Sequence, residues 1–197
     1  MKVALTFDAE FQDHPPGRPE NIERILSILG NTPATFFIQG RWAQGHPAYA
    51  EAIREAGHSI GSHGYYHIPA QLLGARALHL DLTNAADAIY ATTGIYPRLY
   101  RPPWGRLTQT LSDILAERGY TRILWDVDSR DYKEDAETVV RNVVEGCTPT
   151  VLERMPLDSE QDVTKVVLFH SWPDATVQAL PEILSHFASP DWELVSL

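Results

Sequence analysis

The stretch that decides the fold is KVALTFDAEF, residues 2–11 of a chain of 197 residues. Its apolar run at 3–7 predicts a buried strand, and two carboxylates, Asp8 and Glu10, follow that strand directly. Because the side chains of a strand alternate between its two faces, Asp8 and Glu10 point roughly the same way. Two like charges side by side repel each other unless a positive group lies between them or one keeps its proton. The strand end is therefore either a functional site or the exposed start of a loop.

The composition is typical of a globular protein, with 44% hydrophobic and 21% charged residues. We expect residues 1–197 to form a single domain. The net charge of −10 argues against a nucleic acid or an anionic membrane as the main partner. No apolar run is long enough for a membrane span, and no signal peptide precedes the first strand, so a cytoplasmic location is expected. The single cysteine, Cys147, excludes an intrachain disulfide and a cysteine-based metal cage.

Short apolar strands alternate with amphipathic helices along the chain. Apolar runs predict strands at 3–7, 34–38, 59–60, 98–100, 122–125, 166–169 and 193–195. Helical spacing of apolar residues, with glycines as stop signals, predicts helices at 22–29, 49–56, 72–90, 107–117, 134–144 and 177–187. Repeated strand–helix units predict an α/β fold with a mostly parallel sheet, either a barrel or an open doubly wound sheet. In both architectures the active site lies at the carboxyl ends of the strands.

Ionisable groups follow five of these strands. After the first strand, they occur in GSHGYYH (61–67), YRPPWG (100–105), WDVDSRDY (125–132) and LFHSW (168–172). His63 and His67 have the spacing His-x-x-x-His, which on one helical turn puts both imidazoles on the same side. With one carboxylate from Asp8 or Glu10 they would make an open metal site, and the other carboxylate would serve as general base. The alternative is a pair of surface histidines without a metal.

Together these segments resemble the polysaccharide deacetylases with a NodB homology domain, carbohydrate esterase family 4. Five motifs are similar to those of the family and occur in the family's order: LTFDAE, SHGYYH, RPPWG, DSRDY and LFHSW. The resemblance covers nearly the whole chain. It implies a single-domain distorted (β/α) barrel that uses a divalent metal, commonly zinc. It also implies hydrolysis of acetyl groups on sugars, with N-acetyl groups more expected than O-acetyl groups.

The resemblance also implies catalytic roles for individual residues. Asp8 matches the family's catalytic base, and Arg101 matches the arginine that holds that base. His170 matches the general acid, and Asp131 matches the aspartate that orients it. Trp104 occupies the place whose backbone N–H helps to bind the oxyanion.

The metal ligands implied by the resemblance include one departure from the family pattern. His63 and His67 match the two metal-binding histidines. The family usually has a second aspartate in its first motif as the third ligand, but this chain has Ala9 there. Glu10 follows, and its longer side chain is the candidate replacement.

Three aromatic residues near the motifs are candidates for the walls of a sugar-sized groove. They are Trp104, Tyr132 and Trp172, since aromatic faces pack well on the C–H surfaces of sugars. Ordinary packing is an equally good interpretation of each one alone. Residues 148–162 are expected to form a loop at the rim of the site.

Two other functions stay open. The first is a metal-independent amidase on the same fold that acts on a small amide, which Ala9 favours and the histidine pair opposes. The second is a catalytically inactive carbohydrate-binding relative, which the complete set of acid and base residues opposes. If the protein is cytoplasmic, a soluble acetylated sugar or a small amide is a more accessible substrate than a cell-wall polymer.

Overall fold

The computed structural model describes residues 1–12, 17–148 and 164–197. Within these residues every strand pairing is parallel, and one sheet has the order β5-β4-β3-β2-β1-β7-β6, with β8 against the start of β1. The strands are β1 Lys2–Ala9, β2 Thr35–Ile38, β3 Ser59–Ser62, β4 Leu99–Tyr100, β5 Thr121–Arg122, β6 Val127–Asp128, β7 Thr164–His170 and β8 Glu193–Leu194.

Helices connect the strands and cover the outer face of the sheet. They are α1 Asn21–Leu29, α2 Gly40–Gly45, α3 Pro47–Glu55, α4 Ala75–Thr93, α5 Gln109–Glu117, α6 Ala136–Cys147 and α7 Asp174–Phe187. Short 3₁₀ turns lie at Ala70–Leu72 and Pro103–Gly105. Side-chain caps start two of the helices: Thr108 accepts the amide of Leu111, and Asp135 accepts that of Thr138. None of the helices in the described residues is long and apolar enough to cross a bilayer.

The alternation along β1 separates the core from the site. One set of its side chains belongs to the main apolar cluster, together with residues of α1, α3, α6 and α7: Val3, Leu5, Phe7 and Ala9. Phe7 stacks between Phe36 and Phe169, with ring centroids 5.0 and 5.3 Å away. Each fully buried phenylalanine contributes roughly 1.5–3 kcal/mol to folding. Because side chains alternate along a strand, the other set, which includes Thr6 and Asp8, faces the inside of the curled sheet.

The predicted α/β fold with a parallel sheet and external helices is confirmed, but the strand predicted at 122–125 is wrong. The chain leaves β5 after Arg122 and returns as β6 at the other end of the sheet. In between, the amide of Ile123 donates to Tyr100 on β4, and the amide of Asp126 donates to Val166 on β7, both at 2.9 Å. This apolar segment therefore bridges the two ends of the sheet instead of forming one strand.

Smaller differences concern the helices. The long helix predicted at 72–90 begins at Ala75, because the 3₁₀ turn Ala70–Leu72 precedes it. Helix α2 was not predicted, since it has only six residues and a glycine at each end. The loop expected at 148–162 lies outside the described residues, apart from Thr148. The single domain expected for residues 1–197 stays a prediction.

Candidate active site

The carboxyl ends of the strands surround one pocket of about 280 Å³. The structure brings most of the predicted site residues into its wall: Asp8, Glu10, His63, His67, Trp104, Tyr132, His170 and Trp172. The other two, Arg101 and Asp131, are buried directly behind Asp8 and His170. The parallel register explains the convergence, since Asp8 on β1 pairs with His170 on β7.

Asp8 is held by a buried cation. Arg101 Nη1 donates to Asp8 Oδ1 at 2.7 Å, and Arg101 Nη2 donates to the hydroxyl of Thr6 at 2.7 Å. Thr6 and Asp8 belong to the same face of β1, so one guanidinium group contacts two successive side chains of that face. The carboxylate is thereby fixed with its second oxygen, Oδ2, 3.4 Å from His63 Nε2.

Arg101 is completely buried, and its surroundings keep it in place. Its guanidinium carbon lies 4.1 Å from the centroid of the Phe37 ring, and the Trp125 ring lies 5.7 Å away. Burial lowers the pKa of Arg101, and the Asp8 carboxylate opposes that shift. A buried ion pair of this kind is costly to break from either side.

His63 and His67 come together by a route that differs from the predicted one. The spacing predicted one helical turn, but His63 directly follows β3 and His67 ends a bend with a φ of 58°. The two rings nevertheless lie with their centroids 4.9 Å apart. The chain reverses through Gly64, whose φ is 71°, a value that glycine adopts without strain.

Glu10 completes a three-residue cluster with the two histidines. One ligand atom from each of Glu10, His63 and His67 lies within 4.8 Å of the others. Glu10 lies just past the end of β1, where Gln39 fixes the chain. The amide of Gln39 donates to Ala9, and the Gln39 side chain accepts the amide of Phe11. Alternation places Ala9 in the core and Glu10 in the site.

The cluster fits a divalent cation. Glu10 Oε2 is buried and faces both imidazoles, with His67 Nε2 2.6 Å away and His63 Nε2 3.4 Å away. Burial raises the pKa of Glu10, but the two imidazoles lower it further, so the pKa lies well below its usual range. Two imidazoles and one ionised carboxylate are a common zinc ligand set that leaves a position open.

His63 is oriented for such a role by its other ring nitrogen. Nδ1 lies 2.9 Å from the carbonyl oxygen of Arg101, which only accepts hydrogen bonds, so in the neutral ring Nδ1 carries the proton and the lone pair is on Nε2. Burial lowers the pKa of His63, but Asp8 and Glu10 raise it more, and the net pKa is above its usual value. The local field therefore favours a positive charge at this point.

Asp131 and His170 form a second cluster in the same pocket. Asp131 Oδ1 lies 2.8 Å from His170 Nδ1, and Oδ2 accepts the His170 amide at 2.6 Å. Oδ2 also accepts the hydroxyl of Thr176 at 2.6 Å. Burial lowers the pKa of His170, but Asp131 outweighs it and raises the pKa to about 9. The His170 imidazole is therefore protonated at neutral pH and is suited to donate a proton.

Aromatic side chains form the rim of the pocket. Trp104 is 66% exposed, and its ring centroid lies 5.3 Å from that of His67. Tyr132 meets His170 edge-on at 5.5 Å, and Trp172 lies 5.7 Å from the same ring. The three aromatic residues predicted as groove walls thus lie around the pocket, and their role toward a sugar stays a prediction.

Among the described residues, three other than glycine have a positive φ, and all lie in or beside the site. His67, Trp104 and Arg130 have φ values of 58°, 60° and 60°. This conformation is uncommon outside glycine and is concentrated at functional sites. It leaves no mark in the sequence, because the residue types themselves are ordinary.

Sequence reasoning missed several residues of the pocket wall. They are Gln12, Gly105, Trp125 and Leu168, while Asp128, an acid of the predicted segment at 125–132, also lines the pocket. The ring of Trp125 packs so closely on Gly105 that a Cβ there would lie 2.8 Å away. Trp125 ends an apolar segment that is followed directly by acidic residues, a pattern that points to the site. The prediction of a strand at 122–125 hid that pattern.

The comparison with known families now has a structural basis. The family model described as "Polysaccharide deacetylase" matches residues 1–123. The chain therefore belongs to the polysaccharide deacetylase family, and the resemblance to carbohydrate esterase family 4 and its NodB-type domain is confirmed.

Two relatives illustrate the range of the sequence similarity. The uncharacterized protein YlxY of Bacillus subtilis is 32% identical over 127 residues, which are 64% of this chain and 40% of that protein. A peptidoglycan-N-acetylglucosamine deacetylase of Bacillus cereus is 28% identical over 203 residues, which cover 100% of this chain and 66% of the relative. The chain thus spans about two fifths to two thirds of the length of these relatives.

A solved structure with the same fold bears directly on activity. A family 4 pseudoenzyme from Bacillus anthracis superimposes with a TM-score of 0.84 at 24% identity, covering 100% of this chain and 63% of that one. A mutant of it with restored enzymatic activity matches equally well, at 25% identity. The predicted distorted (β/α) barrel is thereby confirmed, and the fold is shared by active and inactive proteins.

Proposed function

We propose that this chain is a metal-dependent hydrolase that removes the N-acetyl group from an amino sugar of a carbohydrate. The observation that carries the proposal is the pairing of two complementary clusters in one pocket. One is Glu10, His63 and His67, with a carboxylate oxygen that faces both imidazoles, and the other is a protonated His170 on Asp131. Hydrolysis of an amide needs both an activated water and a proton for the leaving amine.

Asp8 is the proposed base. Arg101 occupies Oδ1, which leaves Oδ2 to take the proton of the water that attacks the acetyl carbon. A divalent metal held by Glu10, His63 and His67 would supply a Lewis acid for the carbonyl and lower the pKa of water. The guanidinium group keeps the Asp8 carboxylate in a fixed orientation, so the base is preorganised for this proton transfer.

His170 is the proposed acid. The carbon–nitrogen bond breaks as His170 gives its proton to the sugar nitrogen, and acetate and the free amine are the products. Asp131 holds Nδ1 of the imidazole and leaves Nε2 for the substrate. The backbone N–H at Trp104 is the proposed additional donor to the developing oxyanion.

A metal-independent amidase is less well supported. Its main argument was Ala9 in place of a metal-binding aspartate. The alternation of β1 removes that argument, since the side chain at position 9 lies in the core while Glu10 lies beside both histidines.

An inactive carbohydrate-binding relative is the second candidate, because a family pseudoenzyme shares the fold. A binding domain needs aromatic walls, but it has no need for a buried arginine behind Asp8 or a doubly bound aspartate behind His170. These costly buried groups support catalysis.

The proposed substrate is an oligosaccharide that contains N-acetylated amino sugars. The exposed ring of Trp104 and the partly exposed ring of Tyr132 suit the faces of sugar rings on an open rim. The relative from Bacillus cereus is named for peptidoglycan N-acetylglucosamine. The cytoplasmic location expected from the sequence stays a proposal.

Acetate release from N-acetylglucosamine oligomers tests the proposal. We expect release by the zinc-reloaded chain and none after chelation. Asp8→Asn should lower the rate by about 10²–10⁴ while zinc still binds, and Asp113→Asn, which removes an exposed carboxylate, should not. Release that is independent of metal would identify the amidase instead. Binding of zinc and oligomer without acetate release would identify the inactive relative.

A further inference from the structure

The turn between His63 and His67 needs support from outside itself. It is not helical, so the His-x-x-x-His spacing alone does not align the two imidazoles. His67 also has a φ of 58°, a conformation that is uncommon for residues other than glycine. The position of the second histidine is therefore imposed by contacts of residues 64–66 with the rest of the molecule.

Asp81 on α4 binds the amides of this turn. Its Oδ2 accepts the N–H of Tyr65 at 2.9 Å, and its Oδ1 accepts the N–H of Tyr66 at 3.1 Å. The carboxylate is buried, and hydrogen bonds to an ionised acceptor are about twice as strong as neutral ones. Burial raises the pKa of Asp81, and the two amides oppose the rise.

The carbonyl groups of the same turn are bound from the opposite side. Gly40 N donates to the carbonyl of Gly64 at 2.9 Å, and Arg41 N donates to that of Tyr65 at 3.3 Å. Both donors are N–H groups in the first turn of α2, which have no acceptor within that helix. Two successive peptide units are thus held on both sides, by α4 and by α2.

Gly64 shows how closely the turn fits Asp81. A Cβ at Gly64 would lie 2.8 Å from Asp81 Oδ2, in addition to the strain of a φ of 71°. A Cβ at position 64 would collide with the Asp81 carboxylate, so only glycine permits this close approach to the backbone.

We propose that Asp81 is a positioning residue, which fixes the turn of residues 64–66 so that His63 and His67 are aligned before a metal binds. This inference rests on the proposed function, because it assigns the two histidines to a metal site. Asp81 contacts neither the metal ligands' side chains nor the reacting groups. Because the turn is already ordered, binding of the ion does not have to supply the free energy of ordering His67.

Zinc affinity of the chelator-stripped full chain tests the proposal. Asp81→Asn replaces one acceptor by a donor opposite an amide, and we expect zinc to bind about 10- to 100-fold more weakly. Asp87→Asn removes an exposed carboxylate from the same helix and is the matched control, with a change below about twofold. If Asp81 only supports the fold, Asp81→Asn lowers the melting temperature of the protein with and without zinc, and the zinc affinity of the folded variant is unchanged. Native-like affinity in folded Asp81→Asn would overturn the proposal.

Amide hydrogen exchange of the unmodified chain gives a second test, which holds even if Asp81→Asn does not fold. We expect the amides of Tyr65 and Tyr66 to be protected in the zinc-free protein as strongly as those of β3. Fast exchange that becomes slow only when zinc is added would overturn the proposal. Protected amides in a protein that binds no zinc would instead count against the proposed function, and the two failures are distinguishable.

Discussion

Two clusters of histidine and carboxylate side chains line the same pocket, and their carboxylates have different hydrogen-bond partners. In the first, Glu10 Oε2 lies beside two imidazole nitrogens, and no backbone amide of the described residues donates to it. In the second, both oxygens of Asp131 accept hydrogen bonds, and His170 is held as a cation. A carboxylate that faces two imidazoles can share a metal ion with them, whereas a carboxylate that is bound by an amide, a hydroxyl and one imidazole orients an acid.

The difference comes from the backbone around each carboxylate. Glu10 lies just beyond the end of a strand, where the chain supplies no nearby amide to its side chain. Asp131 lies opposite the start of a helix, where the amide of His170 and the hydroxyl of Thr176 converge on it. The role of a carboxylate is therefore set by its hydrogen-bond partners more than by its residue type.

The largest expected effect separates the two clusters by function. His170→Gln should lower kcat for acetate release by about 10²–10⁴, because the leaving nitrogen loses its proton donor. Zinc affinity should stay native, since His170 belongs to the other cluster. His79→Gln, on the surface of α4, is the control. A parallel loss of zinc binding in His170→Gln would merge the two clusters into one.

The next effect concerns the pair that supports the base. Arg101→Leu leaves the buried Asp8 carboxylate without its cation, and we expect a loss of about 3–5 kcal/mol of unfolding free energy in the zinc-free protein. Arg54→Leu breaks an exposed pair with Glu51 and Glu55 and should cost less than about 1 kcal/mol. Denaturant unfolding measures both. Equal losses would contradict the assignment of a buried ion pair.

A smaller effect tests what Asp131 does to His170. The acid is active below its pKa of about 9, so activity should fall as the pH rises through that value. In Asp131→Asn the main group that raises the pKa is absent, and the alkaline limit should move down toward 6.5. At pH 8 this corresponds to a loss of roughly 30-fold in the protonated form. A pH–rate profile with an unchanged alkaline limit would assign the limb to another group.

The smallest effect concerns the rim, which both clusters share. Trp104→Ala should raise KM for an oligosaccharide by about 2- to 12-fold, the equivalent of roughly 0.5–1.5 kcal/mol of aromatic contact, with kcat nearly unchanged. Tyr96→Ala, an exposed aromatic residue elsewhere on the surface, should change neither constant. A large fall in kcat alone would show that Trp104 acts on the transition state.

The sequence predicted the parts of the site that depend on local pattern. The alternation of β1 placed Asp8 and Glu10 on one face, and the structure agrees. The carboxyl ends of parallel strands lie at one edge of the sheet irrespective of the conformation of the loops, so most of the residues predicted there line one pocket.

The parts that the sequence did not predict depend on contacts between distant segments. The turn at His67 is held by Asp81, 14 positions further on, and no local signal marks that carboxylate as a partner. In the segment from Ile123 to Asp126, the first amide donates to β4 and the last to β7, near opposite ends of the sheet, so a strand-like apolar pattern does not form one strand.

The most direct test of the central claim is the zinc affinity of the chelator-stripped native chain beside Glu10→Gln. The account predicts one tightly bound zinc per native chain and binding weaker by at least about 100-fold in the variant. Glu51→Gln, on the exposed face of α3, should bind as the native chain does. Equal zinc affinity in Glu10→Gln, or no zinc in the native chain, would contradict the assignment of Glu10, His63 and His67 as the metal site.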